Sequence, residues 1–190
     1  MRYERHNDSS TPSSFEMERI AAFMFKASII LDPSLQKRDM DIMLEDGDTV
    51  SVKTQNAAGR TGNISLEVLQ TDTRTGETIP GNFVLCEAKY ILFAVPDLAK
   101  PKGCYDLWLF EHEKLKGFVA QNSFRKANLT PERLGANRGL GKKYDDTTSV
   151  LVPLRLAQKV AIGVNKMDFA EIKKNQSYRA FAKLNPIRGE

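Results

Sequence analysis

The residues able to carry chemistry gather in one stretch of this 190-residue chain. Asp39 and Asp41 stand two apart in Asp39-Met40-Asp41-Ile42-Met43-Leu44. Ser51 and Lys53 stand two apart in the alternating segment Thr49-Val50-Ser51-Val52-Lys53-Thr54-Gln55, and Glu67 follows in Ile64-Ser65-Leu66-Glu67-Val68. Residues two apart on a strand share a face, so each pair points one way. If the faces coincide, a carboxylate, a hydroxyl and a lysine meet at one end of a sheet, and Glu67 can join from a third strand. Two carboxylates a few ångströms apart repel unless a cation lies between them, which makes such a cluster an oxygen-ligand site for Mg²⁺. A nearby lysine stabilises charge developing on phosphorus or assists the attacking water. Phosphodiester hydrolysis needs those parts and no histidine. The chain has two histidines, His6 and His112, which excludes a His-rich metal centre and argues against a Ser-His-Asp triad.

Each residue also has a plainer reading. Lys53 reads as a solvated strand residue, Asp39 as a strand-start residue, and Asp46 and Asp48 as turn formers. Glu16 and Glu18 suit a helix N-terminus through the helix dipole. Gln55 shares the Lys53 face, where it would order a phosphate or water or simply face solvent. Trp108 reads as core or interface.

The elements that must position these residues follow from the apolar pattern. Thr11-Pro12-Ser13-Ser14 supplies N-cap candidates for a helix over Phe15 to Leu31, ended by Asp32-Pro33. MDIML, the turn signal Glu45-Asp46-Gly47-Asp48 and TVSVKTQ make a β-hairpin. NAAGRTGN reads as a loop, ISLEVLQ as a third strand, and Thr71 to Pro80 as a hairpin-like connection. Lys89 to Pro96 is a continuous apolar run, the pattern of a central strand buried on both faces. Gly103 to Glu111 and Leu115 to Ala120 read as a strand pair around His112, SVLVPL as another strand, and Lys166 to Leu184 as a terminal helix. The fold class is α/β (α+β), one central mixed β-sheet flanked by helices. Residues 1–13 read as a flexible polar leader and 14–190 as a single domain.

The net charge of +4 hides a gradient. Residues 1–115 carry 13 Lys+Arg against 18 Asp+Glu, net −5, whereas residues 116–190 carry 15 against 6, net +9. A basic C-terminal half suits a polyanion, with a solvated basic face as the plain alternative. Arg125, Lys126, Arg133, Arg138, Lys142, Lys143, Lys173 and Lys174 supply the charge. In the loop LGANRGLGKKYDD, glycines let backbone amides approach phosphates beside Arg138, Lys142 and Lys143. That loop lacks P-loop spacing, so nucleotide hydrolysis is not expected. The apolar runs fall well short of the ~20 residues of a membrane span. The polar opening lacks a signal-peptide core, and Cys86 and Cys104 lack metal-site or disulfide spacing, so a cytoplasmic setting and no membrane partner are expected.

On these residues the chain resembles the PD-(D/E)xK nuclease superfamily over roughly its first half, residues 14–95. The resemblance implies a restriction-endonuclease-like core, with Glu18 (or Glu16) on the first helix, Asp41 on the first strand and Ser51-Val52-Lys53 on the second. Ser51 departs from the pattern, which has Asp or Glu there. One branch of restriction endonucleases carries Ser-x-Lys followed after a dozen or so residues by a Glu that takes over the acid's role. Here residues 54–66 separate Lys53 from Glu67, although that branch sets its Glu on a helix and Glu67 reads as strand. Val52-Lys53-Thr54, Thr61-Gly62-Asn63-Ile64 with Glu67, and Ala88-Lys89-Tyr90 further resemble phage-type nuclease-like proteins, implying a phage or mobile-element context.

The resemblance implies a metal-dependent deoxyribonuclease. Asp41 and Glu67 would ligate Mg²⁺ or Mn²⁺, Lys53 would serve the water or the developing charge, and Glu18, Ser51 and Gln55 would support the site. Arg60, Arg125, Lys126, Arg138, Lys142 and Lys143 would contact nucleic acid, DNA in preference to RNA. A double-strand cut by so small a domain calls for a homodimer. The alternatives are a nuclease-fold protein without catalysis that binds nucleic acid or a host protein, and a structural or protein-interaction domain whose basic half is incidental.

Overall fold

The computed structural model describes residues 12–72, 74–129 and 146–185. Ser13 starts the first helix, α1 (Ser14–Phe25), with a capping box: its hydroxyl accepts the Glu16 N–H at 3.2 Å and its own N–H donates to Glu16 Oε2 at 3.0 Å. The helix stops at Phe25 instead of continuing to Leu31. Lys26 adopts left-handed backbone (φ 52°), and the β-branched residues beyond it go to the sheet as β1 (Ser28–Ile29). The chain continues through α2 (Pro33–Gln36), β2 (Ile42–Met43), β3 (Thr49–Thr54), α3 (Asn56–Thr61), β4 (Asn63–Thr71), β5 (Thr78–Pro80) and α4 (Asn82–Leu85). Next come β6 (Tyr90–Pro96), β7 (Cys104–Glu111), α5 (His112–Ala120), β8 (Arg125–Leu129), β9 (Asp146–Pro153), α6 (Leu154–Ala157), β10 (Ala161–Asp168), α7 (Phe169–Lys174) and α8 (Gln176–Leu184).

The expected mixed sheet is present, six strands in the order β1-β2-β3-β6-β7-β10, flanked by helices. Its β3 and β6 run parallel, Ser51 opposite Ile91 and Lys53 opposite Phe93; the other neighbours are antiparallel. A second sheet, β5-β4-β9-β8, was not expected. A parallel pair needs a crossover connection, and the β3-to-β6 crossover holds β4 and β5, which pair away from the first sheet.

β6 is buried on both faces, as its continuous apolar run implies. Leu92 and Ala94 join Val50 and Val52 of β3 under α1, whose Met17, Ile20 and Ala21 pack there, and under Tyr178 of α8. Ile91, Phe93 and Val95 turn the other way, onto Ile64 and Leu66 of β4, Val150 and Val152 of β9, and Leu115 of α5.

Three other segments depart from expectation. Residues 115–120 belong to helix α5, with Leu115 buried and Phe118 and Val119 packed against the same core, a three- and four-residue spacing. Lys166 to Asp168 finish β10 on β7, and the terminal helix divides into α7 and α8. The Asn175 carboxamide caps α8, accepting the Ser177 and Tyr178 N–H groups at 2.9 and 3.2 Å. The segment NAAGRTGN folds as α3, ended by Gly62 at φ 68°. Cys86 and Cys104 are free thiols. Among the described residues, no helix is long and apolar enough to cross a membrane.

The packing makes a graded prediction. Leu92 is 0% exposed at the centre of the sheet, so Leu92→Ala should lower unfolding free energy by about 2–5 kcal/mol. Ser13→Ala, which removes only the cap, should cost about 1 kcal/mol. Urea midpoints at constant slope will rank the two.

Candidate functional site

The chemistry is concentrated where β2 leaves β3. β2 is too short to pair the Val52 N–H, and the Asp41 carboxylate does so instead. Its Oδ2 accepts that N–H at 2.6 Å and the Ser51 hydroxyl at 3.3 Å. Ser51 is fully buried. Burial pushes the Asp41 carboxyl above its ordinary range, and Asp39 adds to the effect; the Val52 N–H, Lys53 and Ser51 oppose it.

Glu18, on α1, faces the same point. Burial and the charge of Asp41 raise its carboxyl to about 7, with Lys53 pulling the other way. Glu16, the alternative helix carboxylate, is committed elsewhere, to the capping box and to Lys173 at 3.2 Å. Burial raises the Glu16 carboxyl, but the Ser13 N–H and Lys173 hold it below its ordinary value overall.

Lys53 Nζ pairs with Asp39 Oδ1 at 2.7 Å. Burial alone would lower its pKa, but Asp39 and Asp41 outweigh burial and raise it. The Cys86 thiol donates weakly to the Asp39 carbonyl at 3.9 Å, and burial pushes its pKa up. Glu18, Asp41, Ser51 and Lys53, from a helix, a strand edge and the adjacent strand, thus form one interacting cluster. From its sequence context Asp39 reads either as the partner of Asp41 on one strand face or as a strand-start residue, and Cys86 has no role. A lone cysteine has no spacing signal, and the Lys53 partner depends on how β2 and β3 meet.

Lys53 and Asp39 open onto a cleft of about 610 Å³ between the two sheets. Glu67 lines the same cleft from β4. Its Oε1 accepts the Gln70 side-chain amide and the Asn82 N–H, the latter at 3.4 Å. Gly81 makes this contact possible, because a Cβ there would come within 2.5 Å of the Glu67 carbonyl oxygen. The charges that dominate around Asp41 and Lys53 come from the Asp39–Lys53–Asp41 group, with Glu67 on the opposite wall.

Gln55 also lines the cleft, and its amide makes two bonds to the backbone of β4. Nε2 donates to the Ser65 carbonyl at 3.0 Å and Oε1 accepts the Ser65 N–H at 3.2 Å. Arg60 stands exposed at the rim, on the last turn of α3. Arg125 and Lys126 lie on β8, an edge of the second sheet. As neighbours along a strand they point to opposite faces of the sheet. Arg133, Arg138, Lys142 and Lys143 lie outside the described residues. Lys173 is occupied by Glu16 and by the face of Phe169, 4.3 Å from its centroid.

Among the described residues, no three His, Cys, Asp or Glu side chains are already grouped as a metal-ligand set. Asp41 and Glu18 nevertheless fit a hard divalent cation in donor chemistry, since both offer carboxylate oxygens. Comparison with protein-family models and with curated proteins gives no match to this chain.

The raised Glu18 carboxyl carries a pH signature. Between about pH 4.5 and 7 the unfolded chain ionises Glu18 while the folded chain keeps its proton, so stability falls as pH rises through that window. Glu18→Gln should remove this loss. Allowing for partial solvent screening, the variant should gain about 1–2 kcal/mol on the parent at pH 8 and match it near pH 4. Thermal melts at the two pH values check the crossover.

Proposed function

We propose that this chain is a metal-dependent endonuclease of PD-(D/E)xK type, hydrolysing phosphodiester bonds in DNA and encoded by a phage or mobile element. One observation carries the proposal: Asp41 is hydrogen-bonded to Ser51 at the margin of a mixed sheet, Glu18 and Lys53 feel its charge, and Lys53 opens onto a cleft. Asp41 with Glu18 would hold Mg²⁺ or Mn²⁺, and Glu67 is a further acid across the cleft. The bound ion would neutralise charge on the phosphodiester and lower the pKa of water. Lys53, a cation in the cleft, draws the scissile phosphate in and stabilises the charge it gains. Ser51 fixes the Asp41 carboxylate by its hydrogen bond, and Gln55 fixes the strand end beside Lys53. Arg60 meets the phosphate backbone at the rim, a contact that positions DNA without reading sequence. A cytoplasmic setting and a homodimer for double-strand cleavage belong to this proposal.

A second reading, a nuclease-fold protein without catalysis that binds nucleic acid, is favoured by the hydroxyl of Ser51 where the superfamily has an acid.

Incubation of the protein with supercoiled, linear and single-stranded DNA in Mg²⁺ or Mn²⁺ separates the two readings. Cleavage is expected, and Lys53→Ala or Asp41→Ala should reduce it by ~10²-fold or more. Cleavage that survives both substitutions overturns the assignment, and no cleavage of any form supports the second reading. Mn²⁺ added at pH 6.5 should also release protons as Glu18 ionises, seen by calorimetry in buffers of different ionisation heat.

A further inference from the structure

Asp39 stands outside the motif that carries the nuclease proposal, yet its carboxylate is the one ion-paired with Lys53. It follows α2 where the chain turns out of the helix, with its own N–H on the Gln36 carbonyl at 3.0 Å and the Met40 N–H on the Leu35 carbonyl at 3.2 Å. Its backbone is left-handed, φ 59°. Glycine adopts that conformation at least cost, and among other residues Asn and Asp tolerate it best. Glycine, however, would offer Lys53 no carboxylate.

Position 51 offers none either. Ser51 is buried with its hydroxyl on Asp41, and Glu67 is held across the cleft by Gln70 and the Asn82 N–H. Asp39 instead reaches Lys53 Nζ at 2.7 Å, and the two side chains are 22% and 34% exposed, so the pair is shielded without being sealed off. Both residues line the cleft.

We infer that Asp39 is the positioning residue of this site: its carboxylate aims the Lys53 ammonium into the cleft and supplies the anionic partner that Ser51 cannot. The inference rests on the nuclease proposal for the role of Lys53, but not for the ion pair itself. A substrate phosphate entering the cleft would meet an ammonium already oriented, and Asp39 acts through Lys53 without itself touching the reacting atoms.

Asp39→Asn is the discriminating variant, because Asn keeps the tolerance for left-handed backbone and the side-chain shape while removing the charge. Asp39→Gly is a second, conformationally easier substitution should the first fail to fold. The readout independent of activity is the ¹H–¹⁵N ammonium signal of Lys53 in the full chain at neutral pH, assigned by its loss in Lys53→Arg. Ammonium protons held in an ion pair exchange slowly enough to be seen, whereas those of free lysines do not. A Lys53 signal present in the parent and absent in a folded Asp39→Asn or Asp39→Gly is expected. No signal in the parent, or an unchanged signal in the variant, overturns the inference.

In the cleavage assay, Asp39→Asn should lower kcat about tenfold with KM within about twofold, the mark of lost orientation rather than lost binding. An unchanged kcat overturns the positioning role even where the ion pair is seen. Failure of the nuclease proposal is read separately, as no cleavage by the parent protein.

Discussion

The parallel ladder between β3 and β6 decides which side of the sheet each reactive group occupies. With Val50 opposite Tyr90 and Lys53 opposite Phe93, the valines of β3 go under α1 while Ser51 and Lys53 go to the cleft side. A slip of one residue would exchange the faces, pressing an ammonium into the apolar layer of Met17, Ile20 and Leu92 and turning two valines to the cleft. Hydrophobic burial therefore holds the register, and the register places the chemistry. Few contacts within the cluster itself could enforce that choice, since surface-accessible ion pairs contribute little to stability.

Electrostatics in the cluster is unbalanced by design of the backbone. Glu18, Asp39 and Asp41 bring three carboxyl groups around the ammonium of Lys53, and a backbone N–H and a hydroxyl partly relieve Asp41. Glu18 shows the largest effect, its carboxyl raised to about 7 by burial first and by the charge of Asp41 second. Such perturbation occurs in functional sites and in structural ion-pair networks alike.

Much of this arrangement was legible because it rests on local patterns. Alternation in Thr49 to Gln55 showed that Ser51 and Lys53 share a face, the apolar run of β6 showed burial on both sides, and the cap candidates of Thr11 to Ser14 marked the start of α1. What escaped was long-range or ambiguous in period. The segment Ile64 to Gln70 alternates like any strand and does not reveal that it pairs with β9 in a separate sheet, which is why Glu67 lines the cleft from a different sheet than Lys53. Leu115, Phe118 and Val119 fit a strand or a helix over six residues, and the nine-residue helix is selected by packing on Phe110 and its neighbours. Asp39 was readable as a carboxylate and not as a partner for Lys53, because the two lie 14 positions apart across a turn and a strand.

The paired hydrogen bonds from the Gln55 amide to Ser65 join the end of β3 to β4. They act as a strut between the two walls of the cleft, set close to the Lys53 end. A gap braced in this way has a fixed gauge. Any ligand would have to fit the spacing already present, with little of its binding energy needed to draw the walls together. The same brace leaves the sheets no hinge at that point, so the width of the gap is set by the fold before anything enters it.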